Sequence, residues 1–582
     1  MAVTGGTVDM KTAVGFPFPQ GCTVEGQTVN FSVAVPEGQT CELIIYKKGA
    51  RASAFSQEMP YSDVAGNLHF LSVVLEQPED YEYCYKIGGK IVPDPYGKAF
   101  SGREHWSVSQ GKEKRKLRTR IVTDTFDWEK SQFPHLKKED VIAYSLHVRG
   151  FTKHSSSGVA HKGTFDGVTE KLPYLQKLGI NQIHLMPVYE FDENQRHVNY
   201  WGYGKAYFFA PKASYAAGDP VNEMKSLVRQ MHLAGIEVIL EMPFTEGTTF
   251  SLILDCLRYW VMQYHVDGFI VNPYICNPDE LAKDPVLAKS KILKKEDGFQ
   301  NVMRRFLKGD EGMIRDVICQ LKNQDTQLYN YIASHNGFTL CDVVSYDGKH
   351  NEANGENNLD GPDYNYSWNC GAEGNSRKKA VNELRKNQIF NAFFLLLFAQ
   401  GMPCILSGDE FMNTQKGNNN AYCQDNPTGW VNWKNEKSHR RQIEFLQQVI
   451  AFRKEHTVLS NPMPFQFSDY KSLGYPDLSY HGTSAWMLEP TPDHLCLGML
   501  YCGAYAQNEK EPDVYVAYNF LAAATELALP KPRKGKEWVV CIDSGEEDAA
   551  FLDAPKPVSG GKIILRPQTI CVLESREMKK HG

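Results

Sequence analysis

The chain has 582 residues, 42% hydrophobic and 23% charged, which excludes wholesale disorder and, at about 150 residues per domain, suggests three or four domains. Lys and Arg total 63 against 69 Asp and Glu, a formal charge of −6, so there is no basic excess to bind a nucleic-acid backbone. The apolar run Ala392–Ala399 is too short to span a membrane, the opening twenty residues lack a signal-peptide pattern, and the 14 Cys stand without a CxxC pair, so a soluble cytoplasmic protein with reduced thiols is expected.

Residues 11–120 read as short strands. Val29 to Val33, Cys41 to Tyr46 and Tyr81 to Ile87 are β-rich runs separated by Pro36-Glu37-Gly38 or ended by Gly88-Gly89, which predicts a β-sandwich with a hairpin at the glycines. A solvated charged link, Gly111 to Arg120, follows. Residues 138–457 alternate strand-like and helix-like stretches. Strands are predicted at Val141 to Val148, Ile180 to Val188, Glu237 to Phe244, Val266 to Val271, before His335 and at Pro403 to Leu406. Helices are predicted at Thr169 to Leu178, Val221 to Ala234, Phe250 to Tyr264 and Asn387 to Gln400. Repeated units of this kind imply a parallel (β/α)₈ (TIM) barrel. Residues 458–582 return to strands at Ser484 to Leu488, Val514 to Tyr518 and Trp538 to Ile542, with a Lys- and Pro-rich turn at Pro530 to Lys536, and predict a second β-sandwich.

Several motifs carry a family resemblance. Gly15-Phe16-Pro17, Asn30 to Val33 and Pro93-Asp94-Pro95-Tyr96 resemble the glycogen-binding-type sandwich that opens debranching enzymes. His147 to Thr152, Met186 to Glu193 and Asn199-Tyr200-Trp201-Gly202-Tyr203 resemble the first two barrel strands and their loops. Lys349 to Glu356, Ser367 to Gly371, Gly408 to Phe411, Gly417 to Asn420 and Asp425-Asn426 resemble segments specific to the isoamylase and glycogen-debranching branch of the α-amylase superfamily. The resemblance implies a (β/α)₈ catalytic barrel between two β-sandwiches, acting on the α-1,6 branches of glycogen.

Retaining hydrolysis needs two carboxyl groups about 5–5.5 Å apart, one ionised to attack and one protonated to donate. The nucleophile motif of the family, Asp-Gly-Phe-Arg-x-Asp, reads here Asp267-Gly268-Phe269-Ile270-Val271-Asn272. An amide replaces the attacking carboxylate, and Ile270 replaces the Arg. The family's His-Asp pair is His335-Asn336. The general-acid position falls on Lys295, or on Glu296 if the alignment slips by one residue. The third-strand motif becomes Glu241-Met242-Pro243-Phe244-Thr245-Glu246. From Glu241 to Asn272 is one bare repeat of roughly 31 residues, and from Asn272 to Asn336 is 64 residues where three repeats want roughly 90, so a unit around strands 5 and 6 is expected to be abbreviated or absent.

So many changes together argue against an engineered inactivating substitution. Tyr144, Trp201 and Tyr203 offer rings to stack on sugars, with His335, Asn272, Asn336 and the run Asn418 to Asn420 as hydrogen-bond partners; alternatively Trp201 and Tyr203 pack a loop and the run from Gly408 to Asn426 builds a rigid turn. The expectation is a catalytically inactive homologue that binds α-glucan, has neither cofactor nor metal, and, by analogy with the plant isoamylase subunit lacking catalytic residues, assembles with an active debranching enzyme. Two alternatives stay open: an active hydrolase using Glu296 or a relocated Glu241/Glu246 pair, and a scaffold that binds no glucan.

Overall fold

A computed structural model describes residues 10–107, 117–488, 491, 494–546 and 550–578. Most of the charged run Gly111 to Arg120 and the first nine residues lie outside the described residues.

Alternating apolar side chains close the N-terminal sandwich. Val29, Phe31 and Val33 of the strand Thr28–Ala34 meet Leu43 and Ile45 of Cys41–Lys47 and Tyr83 and Tyr85 of Tyr81–Ile87 in one buried cluster. Two antiparallel sheets result, and Gly88-Gly89 form the expected two-residue hairpin that pairs Ile87 with Lys90.

The central sheet has seven parallel strands. These are β1 (Ala143–Leu146), β2 (Gln182–Leu185), β3 (Glu237–Met242), β4 (Gly268–Val271), β5 (Lys291–Leu293), β6 (Tyr329–Asn330) and β7 (Met402–Leu406), in the order β5-β4-β3-β2-β1-β7-β6. A single bridge between Lys294 and Leu328 joins β5 to β6 and closes the ring. Between β5 and β6 the chain forms two short helices and no strand, so one repeat of the (β/α)₈ pattern is missing where the spacing predicted it.

The helices follow their capping signals. In α1 (Pro220–Leu233), Asp219 accepts from the Val221 and Asn222 amides, Pro220 takes the first turn, and Met224, Leu227, Val228 and Met231 face the core. In α2 (Phe250–Tyr264), Thr249 caps and Ile253, Cys256, Leu257 and Trp260 are buried. The stretch read as one helix from Thr169 to Leu178 is two, Phe165–Glu170 and Leu172–Leu178. Pro173 lacks an N–H, so it starts a new helix rather than continuing the old one. The predicted strand at Val141 to Val148 ends at Leu146, because the His147 imidazole accepts from the Gly150 amide and starts a helix.

The C-terminal six-stranded sheet is buried on both faces. Leu497, Met499, Val514 and Val516 join the main core beside the helix α3 (Lys379–Leu397), while Cys496, Leu500, Tyr515 and Trp538 pack under the paired strands Thr525–Ala528 and Lys562–Leu565. The predicted strand Ser484 to Leu488 is not one: Ser484 bridges Met487 across a tight turn, and Trp486 sits there at φ 66°. Its aromatic and apolar composition reads as β-rich, but the chain reverses.

Candidate functional site

The pleat decides which side chains reach the barrel mouth. Along β3, Ile239 points inward, and so does Glu241 two residues on; the same parity carries Ile270 to Asn272 on β4, and Lys291 and Leu293 to Lys295 on β5. Below the mouth the interior is plugged by Ala143, Ile239, Ile270, Leu293, Tyr329, Tyr331, Met402 and Cys404. Ile270 is therefore one more apolar layer residue where an Arg would have carried charge.

At the mouth Tyr203 is the hub. Its hydroxyl lies 2.6 Å from Glu241 Oε1 and 2.6 Å from His335 Nε2. Burial, reinforced by the charge on Lys295, pushes His335 well below its usual range and keeps it neutral. Tyr203 has one proton, which it donates to the Glu241 carboxylate, so His335 Nε2–H donates to the Tyr203 oxygen. Burial raises the Glu241 carboxyl, opposed by the Tyr203 bond and by Lys295. Lys295, lowered by burial and raised by Glu241, places its ammonium 3.3 Å from Ser334 Oγ and 5.4 Å from the centre of the Tyr331 ring.

The other predicted positions do not join this cluster. Asn272 is exposed, and its Oδ1 accepts from the Tyr274 amide at 3.0 Å. Asn336 is exposed. Glu296 is exposed and pairs with Lys294 at 2.9 Å, so Lys295 is the residue of this segment that faces Glu241. Glu246 is exposed and lines a separate cleft against Pro95 and Arg103. The structure does not bring Glu241 and Glu246 to one site.

Trp201 and Tyr203 line a cavity of about 560 Å³ with Tyr422, Asn420, Asp360 and Arg196. The Trp201 ring stands edge-on to His335 at 5.1 Å and to Tyr422 at 6.4 Å. Tyr422, Asp360 and Arg196 escaped sequence reasoning; the clue was their place in, or beside, the loop motifs already quoted. Tyr144, expected to stack on sugar, is fully buried instead. It lies on the outer face of β1 and donates its hydroxyl to Glu410 at 2.8 Å, leaving no ring face open. Asn418 and Asn419 are also buried, and they stitch a turn: Asn418 donates to Asn354 (2.9 Å), Asn351 to Asn419 (2.8 Å) and Asn419 to Asn365 (2.7 Å). Asn420 alone of the run reaches the cavity, held by Asp360 at 2.9 Å.

The loop that carries Trp201 is anchored by Lys212, whose ammonium is fully buried 2.8 Å from Glu190, 2.8 Å from Glu193 and 2.9 Å from the Phe191 carbonyl. Among the described residues, no three His, Cys, Asp or Glu side chains gather to hold a metal ion, and no helix is long and apolar enough to cross a membrane.

The family model "Alpha amylase, catalytic domain" matches residues 139–246. The chain is 30% identical to isoamylase 1, chloroplastic, of Arabidopsis thaliana, over 91% of this chain and 85% of that protein. That alignment runs to 680 positions, more than this chain possesses, so the relative carries segments absent here. The glycogen operon protein GlgX homolog of Haemophilus influenzae is 32% identical over 64% of this chain and 75% of that one. In three dimensions the chain resembles the catalytic module of the glycogen-degrading pneumococcal virulence factor SpuA, with a TM-score of 0.75 at 17% identity over 98% of this chain and 99% of that one. A pullulanase from Bacillus acidopullulyticus scores 0.74 at 18% identity over 96% and 75%.

Proposed function

The chain belongs to the isoamylase and glycogen-debranching branch of the α-amylase superfamily, and on that footing we propose that it is a member without hydrolase activity that binds α-glucan and acts through an active debranching enzyme. One observation carries the reading. Where the family pattern calls for a nucleophile, an acid and a third carboxylate, this sequence has Asn272, Lys295 and Asn336, and the carboxylate that does point into the mouth, Glu241, is engaged by Tyr203. Glu241 by itself cannot both attack and protonate the departing oxygen, and Asp297, the other carboxylate that acts on Lys295, is engaged by the Tyr331 hydroxyl. The ammonium of Lys295 also opposes the positive charge that grows on the sugar in an oxocarbenium-like transition state.

The cavity beside this cluster supports retained binding. Trp201 and Tyr422 give it aromatic walls, and Asn420, Asp360 and Arg196 supply donors and acceptors for hydroxyl groups. A paired active debranching enzyme is the partner proposed, by analogy with the non-catalytic plant isoamylase subunit.

The test is release of reducing ends from glycogen, amylopectin and pullulan at high protein concentration, with Glu241→Gln and Glu296→Gln variants alongside, and co-sedimentation with glycogen. No release with retained sedimentation is expected. Activity that either variant abolishes would establish a hydrolase, and failure to sediment would leave a scaffold.

A further inference from the structure

We infer that the C-terminal sheet carries a second α-glucan site, separate from the barrel mouth, built on the rings of Trp486 and Tyr475; the inference rests on the glucan-binding reading above. Trp486 occupies the tip of the turn that bridges Ser484 to Met487, and 48% of its surface is exposed, whereas Trp260, Trp201, Trp433 and Trp538 are buried. Leaving a ring of that size half open forgoes burial worth of order 2–3 kcal/mol.

The turn holds the ring in place at a conformational cost. Trp486 has φ 66°, a left-handed backbone that disfavours any side chain with a Cβ by about 1–2 kcal/mol. His481 secures that conformation. Burial pushes its imidazole down to about 4, so it is neutral, and its Nδ1 accepts from the Trp486 amide at 2.8 Å while Nε2–H donates to Ser479 Oγ at 2.9 Å. Local folding preferences would place Gly or Asn here, so the backbone is bent to display an indole.

The second ring is fixed too. Tyr475 lies 6.0 Å from Trp486, tilted by 46°, and its hydroxyl donates to the Lys531 and Pro532 carbonyls at 3.1 and 3.3 Å. Two rings at this spacing and tilt offer faces to neighbouring sugars of a chain that curves, as an α-linked glucan does, and the hydrophobic side of each sugar ring stacks on an aromatic face. A protein partner fits less well. The open part of Trp486 is roughly 100 Å², against about 800 Å² that each side of a stable protein interface covers. Arg533, in the turn that Tyr475 contacts, is already engaged by Asp513 at 2.8 Å.

The experiment is calorimetric titration of the full chain with maltoheptaose, comparing wild type with Trp486→Gly and Trp201→Ala. Glycine suits the positive φ, so Trp486→Gly is expected to melt at or above the wild-type temperature. Wild type is expected to bind at two sites. Trp486→Gly should lose one, with its affinity falling more than about tenfold, and Trp201→Ala should lose the other. If Trp486→Gly binds as wild type does while Trp201→Ala does not, the platform is refuted and glucan binding at the mouth stands. If wild type binds nothing, both readings fail. A Trp486→Gly protein that melts well below wild type would show that the ring serves packing, and would also overturn the proposal.

Discussion

Replacing Lys212 by Met removes the cation from a cage that has no access to water. The ammonium lies 2.8 Å from both Glu190 and Glu193, and both carboxylates are buried. Breaking one partner out of such a cluster costs about 3–5 kcal/mol, because the remaining charge is left uncompensated. Some support survives in the variant: the Ala213 amide bonds Glu190 at 2.9 Å, the Ser107 amide bonds Glu193 at 3.1 Å, and Arg103 lies 4.0 Å from Glu193. The Met side chain also fits beside the Phe191 and Trp106 rings that now flank the ammonium. The lower end of that range, about 3 kcal/mol, is therefore expected. The pH dependence gives the reasoning a sign. Burial holds the Glu190 carboxyl above its usual range even with Lys212 present, and loss of the ammonium raises it further. Near neutrality the folded variant then keeps a proton that the unfolded chain has already given up in the ordinary carboxylate range, so the deficit is largest at pH 8 and shrinks as the pH falls toward 5. Thermal melts of both proteins from pH 5 to 8 read this directly. A variant that melts within about 1 °C of wild type at pH 8, or whose deficit grows in acid, would refute the account.

Other tests follow from the same structure. Burial drives Glu410 up to about 7 against the donors Tyr174, Tyr144 and Gly408, so its contribution to stability rises as the pH drops through 7, and Glu410→Gln should flatten the melting profile between pH 5 and 8. Against the burial of both partners, the 3.1 Å bond between His456 and Glu574 raises the imidazole and, with Arg576, holds the carboxyl at about 2. The stability that His456 contributes is present in full below the ordinary imidazole range and is lost as pH rises through its raised value, so His456→Gln should lower the melting temperature more at pH 6 than at pH 9. Asn272→Asp alone should release no reducing ends, because Ile270 and Lys295 remain. Trp201→Ala should cut co-sedimentation with glycogen severalfold, and unchanged sedimentation would remove the mouth cavity from the binding account.

Much of this architecture is legible in the chain. Period-two alternation marks Val29, Phe31 and Val33, and the 3.6-residue spacing of Met224, Leu227, Val228 and Met231 marks a helix, because burial of one face dictates both patterns. The missing barrel repeat shows as a shortfall in spacing. The choice between Lys295 and Glu296 was also open to parity: Lys291 and Leu293 point inward, so Lys295 does too. The same rule would have placed Tyr144 outside the barrel, since Ala143 before it is inside. Trp486 was not legible, because nothing in a run of Ser, Ala, Trp, Met and Leu announces that a histidine five residues back will accept the tryptophan amide and turn the chain.

The seven-stranded ring has two seams of opposite character. At β5–β6 one bridge, Lys294 to Leu328, joins residues 34 positions apart, while at β1–β7 a run of pairs beginning Ala143 to Cys404 joins residues 261 apart. Closing a loop costs (3/2)RT ln n, so the second seam costs about 1.8 kcal/mol more in chain entropy than the first. The distant seam carries the three-pair ladder, and the near one is held by little more than its own locality. Loss of the sixth repeat thus left the ring with a single bridge at a seam whose partners a short tether already holds close together.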